Sequence, residues 1–271
     1  MAGKVALVTG STDGLGRETA IRLGALGAHV LVHGRNAERG AEVVNIINEG
    51  PGEATFYQAD FGSLAEVREL AASIFEDHRQ LHLLINNAGI GSGYAGGERQ
   101  VSADGYEMIF QVNYLAHYLL TDLLLPLIKT SAPARIINVA SGAQRAIDFE
   151  DLMMEKEFSA SAAYAQSKLA QILHTFHISE RLTGTGVTFN TLHPATMMDT
   201  TMVAQMRGPA RTTVDEGATA VMNLAVSAEL QDRSGLYFSG LRESRVNAQA
   251  YDSEARARLD RVSRELVNLP L

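Results

Sequence analysis

Cysteine is missing altogether from the 271 residues. That absence excludes disulfides, thiolate catalysis and cysteine metal sites, and it suits the reducing cytoplasm in which the chain is expected to work. No metal site is expected. Positive charge is scarce as well: the formal net charge is −8, so phosphate polyanions would be repelled and no nucleic-acid partner is expected. No apolar run is long enough for a bilayer. The most apolar stretch, residues 114–128, carries His117, Thr121, Asp122 and Pro126 and reads as a buried core helix, so no membrane partner is expected. The opening Met1-Ala2-Gly3-Lys4 runs straight into an apolar strand, without the longer apolar stretch and small-residue cleavage site of a signal peptide. Internal repeats, low-complexity tracts and linkers rich in Pro, Gly or Ser are absent too, so residues 1–271 are expected to form one domain.

What is present is ordinary in amount and informative in order. Apolar residues make up 46% of the chain and charged residues 20%, enough for a sizeable core. Near-continuous apolar runs at 4–9, 29–33, 54–58, 81–86, 135–140, 186–193 and 235–238 read as strands buried on both faces. Helical patterns fall between them at 14–26, 37–48, 64–78, 102–129, 162–182 and 213–227, and a charged amphipathic helix is expected at 251–267. Strict alternation implies an α/β fold: a Rossmann-type, doubly wound parallel sheet of about seven strands with helices on both faces. The glycine-rich stretch 91–97 falls between a strand and a helix and reads as a loop.

After the first strand comes Thr9-Gly10-Ser11-Thr12-Asp13-Gly14-Leu15-Gly16, which opens the first helix. Gly10 allows a tight turn, Gly14 lets the backbone approach a pyrophosphate, and Gly16 permits close helix–strand packing. The helix N-terminus offers unpaired N–H groups and a positive dipole end to the phosphates. Its place between strand and helix separates this turn from an incidental glycine pattern. The second strand ends in His33-Gly34-Arg35-Asn36. An NAD enzyme puts a carboxylate here for the ribose 2′-OH, whereas Gly34 stands in that place and Arg35 can stack on adenine while holding a 2′-phosphate. Asp13 would repel that phosphate. On balance NADP(H) is favoured over NAD(H).

These residues resemble the short-chain dehydrogenase/reductase family, whose glycine turn has the spacing Thr-Gly-x-x-x-Gly-x-Gly. Four further motifs follow in that family's order: Asn86-Asn87-Ala88-Gly89, Asn113 in Phe110-Gln111-Val112-Asn113, Ser141 closing the fifth strand, and Tyr164-Ala165-Gln166-Ser167-Lys168. The resemblance spans about residues 4–238 and is nearest to the retinol-dehydrogenase-like branch. It implies that Asp60 and Phe61 contact adenine, that Asn87 lies beside the cofactor ribose, that Ala88, Gly89, Tyr164 and Pro194 also bind the cofactor, and that either a bulge restores Thr200 to the nicotinamide amide or another group binds it. It also implies dimers or tetramers assembled through the long helices. The chain departs from the family after the sixth strand: His193-Pro194-Ala195-Thr196-Met197-Met198-Asp199-Thr200 has Ala195 for the usual glycine and places Thr200 one residue late.

Reducing a carbonyl leaves an alkoxide that needs a proton. Free tyrosine, with a pKa of about 10, is a slow acid near neutrality. Tyr164 and Lys168 are four residues apart and share a helix face, so a lysine cation there should favour phenolate and lower the tyrosine pKa. The resemblance implies that Lys168 also binds the nicotinamide ribose, that Ser141 holds the substrate oxygen, and that Asn113 keeps a water linking Lys168 to solvent. The substrate is expected to be a small-molecule carbonyl compound or secondary alcohol. Met202 and Met206, at helical spacing within a lid at about 196–212, point to a bulky apolar one. Alternatives at this point are a cofactor-binding regulatory or scaffold protein on the same fold, or a related epimerase or dehydratase.

Overall fold

Residues alternate across each strand, and the core divides accordingly into two layers. In β1 (Val5–Val8) Leu7 enters one layer while Ala6 and Val8 enter the other; in β4 (Leu83–Asn86) Leu84 goes with Leu7, and Leu83 and Ile85 with Ala6 and Val8. The computed structural model describes residues 1–206 and 209–270. The remaining strands are β2 (His29–Gly34), β3 (Glu53–Gln58), β5 (Ala134–Val139), β6 (Val187–His193), β7 (Tyr237–Ser239) and β8 (Arg242–Glu243). They form one sheet in the order β3-β2-β1-β4-β5-β6-β7-β8, parallel except for β8 against β7. Helices α1 (Gly14–Ala25), α2 (Ala37–Asn48) and α8 (Val214–Val226) cover one face. The other face is covered by α3 (Leu64–Asp77), α5 (Ala116–Thr130) and α6 (Ala160–Arg181). Strand order reverses between β1 and β4, and ligands of doubly wound sheets bind beyond the strand ends at such a reversal.

Two elements differ from the sequence expectation. The eighth strand is two residues long, too short for an apolar pattern to register. The long helix expected over 102–129 starts later, at α4 (Met108–Phe110), because residues 101–107 fold back through Gly105 at φ 86° and the buried Glu107 caps Ile109 and Phe110 N–H. A π-helical turn, Gln111–Leu115, then joins α4 to α5.

The C-terminal helix α9 (Ser253–Leu266) lies along α5 and α6. Tyr114, Tyr118 and Asp122 form a stripe with a four-residue repeat, and they bond Ser263, Asp260 and Arg264 at 2.7, 2.7 and 3.1 Å. His177 and Arg181 of α6 reach Asp260 from the other side, at 3.6 and 3.9 Å. Helix α9 thus covers this stripe of the long helices α5 and α6. Burial alone would push the Asp260 carboxyl up, but hydrogen bonds from His177 and Tyr118 outweigh it and hold the group at about 2. Its folded pKa lies below the ordinary 3.8, so its stabilising contribution is full above about pH 4 and fades as pH falls through about 2. Asp260→Ala should lower unfolding free energy in urea at pH 7 by about 1–3 kcal/mol. The difference from wild type should shrink towards pH 2.

Candidate active site

The cleft at the strand reversal encloses about 640 Å³. Its floor begins with the glycine turn. Gly10 and Gly14 adopt φ of 63° and 51°, a region that costs other residues strain. A Cβ on Gly16 would lie 2.2 Å from the Gly10 carbonyl oxygen and 2.3 Å from Asn87 Nδ2, so only glycine lets α1 sit this close to β1. Asp13 caps α1 by accepting from Gly14 N–H at 2.8 Å. The N–H groups of Leu15 and Gly16 precede the first intrahelical bond, Arg17 N–H to the Asp13 carbonyl, and stand free for an anion. Ser11 does not reach the cleft. It is fully buried, donating to the Val8 carbonyl and accepting from His33 N–H, so its place in the turn is structural.

Beneath the turn, the Thr9 hydroxyl accepts from both Asn87 N–H and Ala88 N–H at 2.9 Å. It meets His117 Nε2 at 3.0 Å, and His117 Nδ1 meets the Asn113 carbonyl at 3.0 Å. A carbonyl can only accept, so the imidazole proton is on Nδ1 and Thr9 donates to Nε2. Burial pushes His117 down to about 3 and keeps it neutral. His33 clamps the turn from β2: its Nδ1 accepts from Gly10 N–H at 3.1 Å and its ring stacks on Phe61. Burial holds this imidazole down too, at about 4.

At one end of the cleft Arg35, Asn36, Asp60 and Phe61 line the wall together with Arg39. Asn36 caps α2 through Arg39 N–H. Both guanidiniums are more than half exposed, and each lies 3.6 Å from a carboxylate, Arg35 from Asp60 and Arg39 from Asp13.

At the other end Ser141, just past β5, and Tyr164 and Lys168, one turn apart on α6, face the same space with Asn87, Ala88 and Gly89. The Ser141 hydroxyl accepts from Ala143 N–H and faces the Tyr164 phenol across the same cleft. The expected lowering of the Tyr164 pKa is corrected by the structure. Burial raises the phenol, the Ser141 hydroxyl partly offsets this, and Lys168 Nζ is 5.7 Å from the ring centroid. Nζ is directed instead at the Val139 carbonyl and Gln171 Oε1. Burial also pushes Lys168 itself down to about 7. Asn113 is fully buried behind this wall. Its amide accepts from Ile90 N–H and donates to the Ile90 carbonyl and Ser167, which spends the side chain on bracing the loop after β4.

Behind Ser141 the chain is braced from far away. Gln144 donates to the Ser141 carbonyl and accepts from Asn247 N–H, while Gln249 bonds both the N–H and the carbonyl of Ile147. Over the cleft lies α7 (Thr201–Gln205), in the stretch expected as a lid. Residues 207 and 208 of that stretch lie outside the described residues. A Cβ on Gly91 would come within 2.8 Å of Met202 Cγ, and one on Gly93 within 2.6 Å of the Gln205 carbonyl, so α7 rests directly on backbone. Met197, at φ 54°, kinks the atypical segment and returns Thr200 to the cleft wall, where it caps α7 and packs beside Gly14. Pro194 lines the cleft next to His193.

A family profile described as short chain dehydrogenase matches residues 4–211. The chain belongs to the short chain dehydrogenase family. It is an oxidoreductase acting on the CH–OH/C=O couple. Retinol dehydrogenase 13 of Mus musculus is 38% identical over 99% of this chain and 85% of its own length. Retinol dehydrogenase 12 of Homo sapiens is 34% identical over 99% and 88%. Among solved structures, an uncharacterised protein from Mycobacterium paratuberculosis superposes with a TM-score of 0.81 at 28% identity, covering 100% of this chain and 96% of that one. The RhlG/NADP active-site complex of Pseudomonas aeruginosa superposes at 0.72 with 28% identity, covering 88% and 95%.

As a short chain dehydrogenase, the protein has site features that the sequence reading passed over. Arg39 follows Arg35 by four residues, a helical spacing that could have drawn attention to it. His33 and His117 had no signal beyond their type, since their roles depend on strand ends that meet only in three dimensions. Gly16→Ala should cost about 1–3 kcal/mol of stability, because backbone rather than a flexible side chain blocks the new methyl. A denaturant titration against wild type measures it.

Proposed function

We propose that this short chain dehydrogenase reduces bulky apolar ketones with NADPH, the two sharing the cleft at the strand reversal. The observation that carries this reading is the meeting of Tyr164, Ser141 and Lys168 in a space continuous with the glycine turn. The fit of a dinucleotide is supported by the free N–H groups of Leu15 and Gly16 and by the left-handed Gly10 and Gly14 beneath it. The solved complex of RhlG with NADP agrees with this.

NADP(H) is favoured by the lack of an acidic residue at Gly34 and by two arginines at that end of the cleft. Their partners Asp60 and Asp13 are exposed and 3.6 Å away. Such pairs are weak in water, and a 2′-phosphate offers each guanidinium a better acceptor.

When bound, the dinucleotide supplies the hydride. The chain's own residues handle the oxygen and its proton. Ser141 donates to the substrate oxygen and steadies the charge that develops there. Tyr164, kept protonated by burial, is poised as the acid that delivers a proton to that oxygen, which suits reduction. Lys168 has an N–H left for the ribose, and Asn113 holds the wall by fixing Ile90. Met202, Met206, Met197, Ile90 and Tyr94 give the substrate end an apolar lining. Retinol dehydrogenases, named for an apolar alcohol, are among the relatives. A cytoplasmic setting belongs to the same reading, and among the described residues no helix is long and apolar enough to cross a membrane. Dimers or tetramers would have to use a surface other than the stripe of α5 and α6 held by α9.

Tyr164→Phe should cut turnover of a ketone by about 10²–10⁴-fold while leaving NADPH affinity in place; nicotinamide absorbance and fluorescence titration read the two. Arg35→Ala should raise KM for NADPH about 10–100-fold and barely move that for NADH. Arg39→Ala should act in the same direction. An equal effect on both cofactors would overturn the preference. A ketone panel in which only small hydrophilic carbonyls react would overturn the apolar substrate.

A further inference from the structure

Lys168 lies at the bottom of the cleft, 4% exposed, and among the described residues it has no carboxylate partner. A cation so placed is costly unless neutral oxygens stand in for water. Two do so: the Val139 carbonyl at 2.9 Å and Gln171 Oε1 at 3.0 Å. Gln171 follows Lys168 by three residues, so α6 stacks them on one face. The glutamine is itself 1% exposed, and its Nε2 has no hydrogen-bond partner among the described residues. A buried amide with an orphaned donor is a burden to the fold, and an apolar side chain would fill the same space without it. The end of the amide that is satisfied is the one facing the ammonium.

We propose that Gln171 is a positioning residue for Lys168: its side-chain oxygen, together with the Val139 carbonyl, holds the ammonium charged and aimed at the cleft. Two of the three N–H bonds are fixed in this way, and the third is left for the space beside Gly89, where a Cβ would lie 3.7 Å from Nζ. The other titratable groups around Nζ are Tyr164 on the same helix and His117 on α5. His117 is held neutral by burial and adds no charge. Burial pushes Lys168 down to about 7, so loss or gain of one acceptor decides whether it is charged at neutral pH. The functional weight of this contact rests on the hydride-transfer reading above; the contact itself does not.

The chain has four lysines, Lys4, Lys129, Lys156 and Lys168, so the ε-carbons of lysine-labelled protein can be followed individually by NMR without cofactor. In wild type, Lys168 should titrate well below the ordinary lysine range. Gln171→Leu should lower its midpoint by about one pH unit and Gln171→Glu raise it by about one or more. Gln171→Glu keeps size and shape, so it tests the proposal even where the leucine variant folds poorly. With NADPH and a reactive ketone, the pH profile of kcat should move in the same directions. Identical Lys168 midpoints in wild type and both variants would overturn the role of Gln171. Full turnover in Tyr164→Phe would instead overturn the catalytic reading and leave the titration result standing.

Discussion

A single buried hydroxyl joins the parts that make this site. Thr9 accepts from the N–H groups of Asn87 and Ala88 at the end of β4 and donates its own hydrogen bond to His117 Nε2 on α5. The glycine turn after β1, the loop after β4 and the π-helical turn that carries Asn113 are therefore fixed relative to one another by hydrogen bonds inside the protein. In so buried a setting each of these groups is expensive to leave unpaired, so the network tolerates little displacement. The cleft inherits that rigidity: its floor, its inner wall and the bracing of Ile90 all lead back to the same oxygen.

The same burial governs the charge of the site. His33, His117 and Lys168 are all pushed towards their neutral forms, and Tyr164 towards its protonated one. Neutral dipoles, backbone N–H groups and carbonyls do much of the orienting around Lys168, and the ion pairs of the cleft, Arg35 with Asp60 and Arg39 with Asp13, lie at the far end. Such an arrangement keeps the reacting end free of competing ion pairs, and the field there is set by geometry and changes little with ionic strength.

Much of this architecture was legible in the sequence. Continuous apolar runs broken by helical patterns are what a sheet buried on both faces requires, and the strand reversal follows from that alternation. Motifs that act through their immediate neighbours were legible too: Gly10, Gly14 and Gly16 need particular backbone geometry, and Tyr164 and Lys168 share a helix face by spacing alone. What escaped depends on distant segments meeting. Ser11 belongs to the glycine turn in sequence yet turns inward, because β2 presents a backbone N–H there. Lys168 is near Tyr164 in sequence yet aims at Val139, a residue 29 positions away. The break before α4 arises from Glu107 folding back to cap the helix, a contact that helical periodicity does not encode. β8 is too brief to leave a pattern.

Asn247 and Gln249 stand near the end of the chain, and through Gln144 and Ile147 they hold the loop that carries Ser141. The corner that carries Ser141 therefore takes its register from a segment about a hundred positions further along the chain. Neither Asn247 nor Gln249 lines the cleft, so the register of the serine is coupled to a part of the fold that stands outside it.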